Sequence, residues 1–530
     1  MLINEDSIGL IFSNDFVNSL PGDPQRENFR REVLSACYSV TTPFTAQNPS
    51  LLSFSPDLAY ELGLNNFVET HEFLSLFTGK QVPPEITTYA SCYGGHQFGV
   101  WAGQLGDGRC INFGEVKNRD GIPITLQTKG SGPTPYSRMG DGFAVLRSSI
   151  REYLASEAMH HLGIPTTRAL ALIRTGDKVI RDMFYDGHPE PEQGAITVRS
   201  SPSFIRFGNF ELYSVRNEIP TLKKLLDYTI ARYYPELISG RIEESYSPFF
   251  REVCIRTANL IAAWNGVGFV HGVMNTDNMS VLGLTIDYGP FCFMDIYDEN
   301  WTPNTTDTQG RYSVRNQSVV AKWNLYKLAC ALLPVGVAAE ELEDGLALFD
   351  VAYEAAWLKT MRNKLGLVNP EKGDRELILQ LLQLLHSHRV DWTIFFRQLS
   401  KIDPLSEKSN GEDHEFLVAA FYETLATSNA SAPFLSEWLK AYRHRLSLDR
   451  LDAFSRNTLM KSVNPKYVLR NYLAQEAIEA AENADLSKLK ALEEVLSNPY
   501  SEHSQLEHLS KGRPSWAKTH PHCSALSCSS

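Results

Sequence analysis

The stretch HGVMNTDNMSVLGLTIDYGPF, residues 271–291, gathers His271, Asp277, Asn278 and Asp287 into one short span. In loops that transfer phosphoryl groups, a His-x-Asp triplet sets a carboxylate beside the substrate hydroxyl. A later Asn holds one metal ion, and an Asp opening an Asp-x-Gly holds another. Val273 stands where the first carboxylate belongs, while Asn278 and Asp287 keep the metal-ligand positions. Their hard oxygens suit Mg²⁺ or Mn²⁺, with phosphate and water completing the shell. Asp277 directly precedes Asn278, so its carboxylate belongs near the same cleft. The plain alternative is a capped turn with ordinary Asx chemistry.

Upstream residues suggest a place for a phosphate tail. In Gly106-Asp107-Gly108-Arg109, the two glycines let backbone amides close on phosphate oxygens. Lys129 ends an expected strand where a phosphate-binding lysine belongs, and Glu152 lies on the next helix, placed to pair with it. Asp141 and Gly142 come just before that helix, whose N-terminus would offer donors to phosphate; Asp141 could equally be an N-cap. Arg199 and Arg206, on either side of Ser201-Pro202, could converge on one anion through guanidinium forks. Each feature alone reads as a turn, a solvated charge or a surface ion pair. Their order ahead of a metal loop is what joins them.

These residues need particular elements to hold them. RCINFGEV and IPITLQTKG flank the turn signal KNRDG and predict a hairpin ending at Lys129. DGFAVLRSSIREYLASEAMHHLGIP has apolar residues at helical spacing, with Gly163 and Pro165 as a stop. Further strands are expected at 178–185 and 194–199. From about 215 the pattern turns helical, including SVVAKWNLYKLACALL, EFLVAAFYETLA and PKYVLRNYLAQEAIEAA. The expected fold class is α+β: a protein-kinase-like two-lobed fold with a mixed β/α N-lobe over 81–215 and a mainly helical C-lobe over 216–515. Residues 1–80 read as an irregular N-terminal extension with helical pieces, and 516–530 as a flexible tail holding Cys528. A nucleotide would lie between the lobes.

Composition narrows the partners. At 530 residues the chain exceeds one ordinary core, and 43% hydrophobic with 21% charged is a globular balance. A net charge of -12 argues against general nucleic-acid or anionic-membrane binding, which needs a basic face. No run approaches a membrane span, and Glu5 and Asp6 occupy a start that a secretory signal would fill with lysines, so the cytoplasm is expected. The eight cysteines include no Cys-x-x-Cys pair, so they signal neither a zinc site nor a disulfide framework. Cys523 and Cys528, in a small polar tail, are expected to be exposed thiols, with a redox role as the alternative.

Taken together, YGGHQFG, LGDGR, LQTKGSG, PYSRMGDG, RSSPSFIRFG, HGVMNTDN, IDYGPF, QGRYS, NPKYVLRNYLAQ and the terminal CSS closely resemble the selenoprotein O family of kinase-like protein adenylyltransferases. The resemblance runs from about residue 90 to the end of the chain. It implies that ATP binds flipped relative to ordinary kinases. AMP would then pass to Ser, Thr or Tyr hydroxyls of protein substrates with release of pyrophosphate, and UMP from UTP is a second option. Gly106, Gly108, Arg109, Lys129, Asp141, Gly142, Arg199, Arg206 and Asp287 would bind nucleotide. Glu152 would orient Lys129, Asp277 would accept the proton, and Asn278 and Asp287 would hold Mg²⁺ or Mn²⁺. Some relatives pair the tail cysteine with one in the segment after Asp-Tyr-Gly; FMDIYDENWTPNTTDTQGRYS has none, and nearby Cys292 is expected to be buried. An atypical kinase moving the γ-phosphate and a non-catalytic nucleotide-binding scaffold are the competing readings.

Overall fold

Cys110–Lys117 (β7) and Pro123–Lys129 (β8) form the expected hairpin. Asn118 closes its turn: the N–H donates to Ile122 O at 2.9 Å, and Oδ1 accepts from the Asp120 and Ile122 N–H groups. This computed structural model describes residues 12–182, 187–402, 416–422, 432–520, 523 and 526. The hairpin sits inside an antiparallel nine-stranded sheet. Its members are β1 (Phe12–Ser13), β2 (Tyr38–Val40), β3 (Ser50–Phe54), β4 (Tyr89–Ser91), β7, β8, β9 (Ala144–Val145), β10 (Arg168–Arg181) and β11 (Glu190–Ser201). The order is β2-β4-β7-β8-β11-β10-β3, with β1 on β7 and β9 on β11. β5 (Gly94–Gln97) and β6 (Val100–Gln104) make a separate hairpin.

Register sets up the site. Lys129 pairs with Thr197 on β11, and Arg199 lies two residues further along that strand. Because side chains alternate between faces, Lys129 and Arg199 share one face of the sheet. Helix α1 (Leu146–His161) packs on it through Ile150 and Leu154 against Ala169, Leu172 and Ala195. The other face, with Phe113, Leu126 and Ile173, is covered by Phe73 and Phe77 from the short helix His71–Phe77.

Past Ser201 the chain is largely helical. Helices α2 (Phe207–Val215), α3 (Tyr246–Val267) and α4 (Gln317–Leu332) surround the loop 271–291. Beyond them come Ala339–Lys364, Asp374–Ser387, Trp392–Leu399, Ala432–Leu448, Ala453–Val463, Asn471–Glu482 and Ser487–Ser497. No helix among the described residues is long and apolar enough to cross a membrane. The fold is therefore mixed α and β, with one large antiparallel sheet and many helices.

Several expectations are corrected. The segment before residue 80 is not irregular: β1, β2 and β3 are strands of the main sheet. The helix expected from residue 465 begins at Asn471, because Arg470 stays extended to pair with Asp295 and with Asp391 at 2.9 Å. In EFLVAAFYETLA only residues 416–418 are helical before Phe421 pairs with Val390; residues 415 and 423–426 lie outside the described residues. β10 ends at Arg181, and 183–185 of the strand expected at 178–185 also lie outside the described residues. Cys523, expected to be exposed, is buried, and its carbonyl accepts from Asn471 Nδ2 at 3.1 Å. Leu526 pairs with Asn304. Cys528 lies outside the described residues.

Candidate functional site

The loop 271–291 is pinned at both ends. α3 stops at Gly268, left-handed at φ 72°, and the chain turns into β12 (Phe269–Val270), which pairs with β13 (Cys292–Phe293). This forces the intervening residues to fold back on themselves. Buried His271 braces the fold: its Nε2 donates to Ile286 O at 2.9 Å and its backbone N–H to Gln317 Oε1 at 3.1 Å. Thr276–Asn278 form a single 3₁₀ turn, and Asn278 Nδ2 donates to Val273 O at 2.8 Å. The amide nitrogen is thus committed, leaving the Asn278 oxygen as the end able to ligate a cation.

Asp287 adopts a left-handed backbone, φ 56°, uncommon outside glycine and concentrated at functional turns. Three cations surround its carboxylate: Arg199 Nη1 at 2.7 Å, Arg206 Nη1 at 2.6 Å and Lys129 Nζ at 3.5 Å. Burial pushes the Asp287 carboxyl up, but Arg206, Lys129 and Arg199 outweigh it and hold the group well below the usual carboxylate range. Glu152 completes the cluster, accepting from Lys129 at 2.6 Å and Arg199 at 2.8 Å.

Asp277 is the electrostatic opposite. It is 7% exposed; Oδ2 accepts from Gln97 Nε2 at 3.2 Å, and buried Oδ1 has no hydrogen-bond partner among the described residues. Burial pushes its pKa up to about 7, only partly offset by Arg206 and Gln97. A carboxylate poised near neutrality with an uncommitted oxygen is equipped to take a proton. Glycine lets the β5–β6 hairpin press against it, since a Cβ on Gly95 would lie 2.7 Å from Asp277 Oδ1.

A cavity of about 800 Å³ opens over these groups. Of the residues singled out from sequence, Gly106, Gly108, Arg109, Lys129, Asp141, Gly142, Asp277, Asn278 and Asp287 line it. Glu152, Arg199 and Arg206 do not: they are buried behind Lys129 and Asp287, so the two arginines converge on a carboxylate of the chain itself. Asp141 is not an N-cap, because α1 starts at Leu146 with Val145 in that place. It instead pairs with Arg181 at 2.7 Å on the cavity wall. Gly106 and Gly142 are left-handed, at φ 82° and 83°, and a Cβ on either would collide with Tyr136 or Gly132.

Sequence reasoning assigned no role to Gln97, Arg138 or Tyr93. Gln97 lines the cavity and holds Asp277. Arg138 lines it too and, like Arg109, has no ion-pair partner among the described residues. Tyr93 stacks under the Arg206 guanidinium, 4.5 Å from ring to carbon. Gln97 and Arg138 sit inside YGGHQFG and PYSRMGDG, but nothing in their local spacing specifies which way they point.

A family profile described as protein adenylyltransferase SelO matches residues 27–497. The chain belongs to this family. It is 49% identical over 523 residues to the protein nucleotidyltransferase YdiU of Methylobacillus flagellatus, covering 98% of this chain and 100% of that one. The protein of the same name from Aromatoleum aromaticum is 49% identical over 527 residues, covering 98% and 99%. That of Xanthomonas campestris is 49% identical over 523 residues, with the same coverage. As in the SelO family description, the chain is thus an adenylyltransferase, a class whose charge-handling needs fit the cavity just described.

Proposed function

We propose that the chain transfers AMP from ATP to Ser, Thr or Tyr hydroxyls of proteins, releasing pyrophosphate, with UTP as a second donor. The carrying observation is Asp277: a buried carboxylate with a pKa near 7 at the cavity, four residues beyond the valine where a kinase-type base would stand. The fold we infer is the kinase-like two-lobed one, with residues 81–215 and 216–515 meeting at the nucleotide and Asp277 facing the α-phosphate.

In this mechanism the acceptor hydroxyl oxygen attacks the α-phosphorus while its proton passes to Asp277. The bond from that phosphorus to the oxygen bridging toward the β-phosphate breaks, and pyrophosphate leaves. Gln97 fixes the Asp277 carboxylate, and burial keeps its affinity for the proton high. Unpaired Arg109 and Arg138, with Lys129, meet the triphosphate charge, and positioning supplies most of the rate. Arg199 and Arg206, buried behind the cavity wall, hold the Asp287 carboxylate in place.

The donor set fits a hard divalent cation. Asp287 is kept ionised, the Asn278 amide nitrogen is committed elsewhere, and both residues line the cavity. Mg²⁺ or Mn²⁺ held by these two, with phosphate oxygens and water, would neutralise charge developing on the phosphates. The described residues contain no cluster of three or more His, Cys, Asp or Glu side chains able to hold a metal alone, in keeping with an ion that arrives with its nucleotide. The described cysteines are all free, in keeping with the reducing cytoplasm we infer for it.

Labelling tests the reading. With ATP labelled on the α-phosphate, protein should retain the label, and mass spectrometry should show an AMP adduct. Label retained only from the γ-position would make the chain a kinase and end this proposal.

A further inference from the structure

Beside the nucleotide cavity, the β5–β6 hairpin and α4 share a second face. The hairpin base presses on Asp277, and its tip reaches Arg311: a Cβ on Gly99 would lie 3.2 Å from the guanidinium carbon. Phe98 N–H donates to Tyr312 Oη at 2.9 Å and to Asn275 Oδ1 at 3.2 Å, tying the tip to the loop that carries Asp277. The inner side of α4 holds the same loop, with Asn324 Nδ2 donating to Met274 O at 2.9 Å.

The outer side of α4 is built differently. Val319, Trp323, Tyr326 and Lys327 fall on one helical stripe. Val319 is 64% exposed and Tyr326 50%, and Val100 at the hairpin tip is 70% exposed. Over the half-buried Trp323 ring lie two cations, Arg311 at 4.6 Å and Lys327 at 4.9 Å. Neither makes an ion pair among the described residues, and Arg311 Nε is buried without a hydrogen-bond partner. In contrast Arg199, Arg206 and Arg216 are each matched to a carboxylate. Unmatched cations over an apolar stripe, in a chain of net charge -12, are an incomplete charge pattern next to the proton acceptor.

We propose that this face binds the acceptor segment of the protein substrate, seating an acidic side chain near the acceptor hydroxyl on Arg311 and Lys327 and an apolar one on Trp323 and Val319. The inference rests on the transfer reading above and adds its substrate class: hydroxyls flanked by acidic and apolar residues. The charge complementarity falls where the cavity ends, since Gln97 and Asp277 line the cavity and Arg311 and Trp323 do not.

The test uses the full chain, α-labelled ATP and Ser-, Thr- and Tyr-containing peptides that differ only in Glu, Gln or Lys near the acceptor. Wild type should favour Glu over Gln peptides by about five- to tenfold in kcat/KM, the scale of one partly exposed charged hydrogen bond. Arg311→Ala should erase the preference and Arg311→Glu should reverse it toward Lys, both with KM for ATP unchanged. A reversal of charge preference is something a merely structural role would not produce. AMP adducts without any charge preference, or a preference that survives Arg311→Glu, overturn this inference alone, whereas no AMP adduct on any peptide overturns the transfer reading beneath it. Wild-type dimers that Arg311→Glu dissociates in sedimentation would assign the face to a second copy of the chain and likewise overturn it.

Discussion

Replacing Asp277 with Asn separates the two consequences of burying a carboxylate at the reacting centre. Raising its pKa from 3.8 to about 7 sets ~4 kcal/mol against the ionised form, at 1.36 kcal/mol per tenfold change in proton affinity. Between pH 3.8 and about 7 the folded chain keeps a proton that the unfolded chain has released, so stability falls as pH rises and the loss is complete above 7. Asn carries no such charge, and its oxygen can still accept from Gln97. With an unfolding entropy of about 2.1 cal/mol/K per residue, each kcal/mol is worth ~1 °C in a chain of 530 residues. Asp277→Asn should therefore melt with wild type near pH 4 and ~2–4 °C above it at pH 8, while transfer falls by about 10²–10⁴, the usual contribution of a general base. Scanning fluorimetry across pH and α-label transfer read the two effects on one preparation. Wild-type kcat/KM should rise with pH up to about 7 and then level. A variant that transfers at the wild-type rate, or whose melting advantage does not grow with pH, would refute the assignment of Asp277 as a buried base.

Asp287→Asn leaves Arg206 and Lys129 facing a neutral amide, and breaking a buried ion pair of this kind costs about 3–5 kcal/mol. Urea unfolding should show that loss, and calorimetry should show ATP binding that Mg²⁺ no longer strengthens. Gly95→Ala forces a methyl to within 2.7 Å of Asp277 Oδ1, so transfer should drop about tenfold or more while ATP affinity, read by calorimetry, stays. Lys364 is buried, with its Nζ donating to Asn464 Oδ1 at 2.8 Å and its pKa pushed down to about 7 by burial. Here the unfolded chain holds a proton that the folded chain lacks between pH 7 and 10.5, so wild-type stability should rise with pH across that window. Lys364→Met should flatten this rise in denaturant titrations.

The sequence carried local signals well and long-range ones poorly. The β7–β8 hairpin, the α1 period with its stop near Gly163, and the spacing of Asn278 and Asp287 all depend on neighbours in the chain, and each was legible. Strands of three and five residues at Tyr38–Val40 and Ser50–Phe54 have too little period of their own, and only pairing with β4 and β10 makes them strands. An N-cap was an open alternative for Asp141 because Asp often caps, but Arg181, distant in sequence, claims its carboxylate. Arg199 and Arg206 were expected to meet a ligand's charge, yet they face Asp287, whose left-handed turn brings its carboxylate to them. The polar composition around Cys523 suggested exposure, while the partners that bury it lie far upstream.

Both outer strands of the nine-stranded sheet, β2 and β3, come from the first tenth of the chain. During synthesis they leave the ribosome long before β10, the partner of β3, has been made. The nascent chain must therefore carry unsatisfied strand edges until that partner emerges, and a product shortened at its start would bare the β4 and β10 edges permanently. Exposed edges of this kind recruit other chains. For this protein, trimming the amino end should create a solubility problem before it creates a catalytic one.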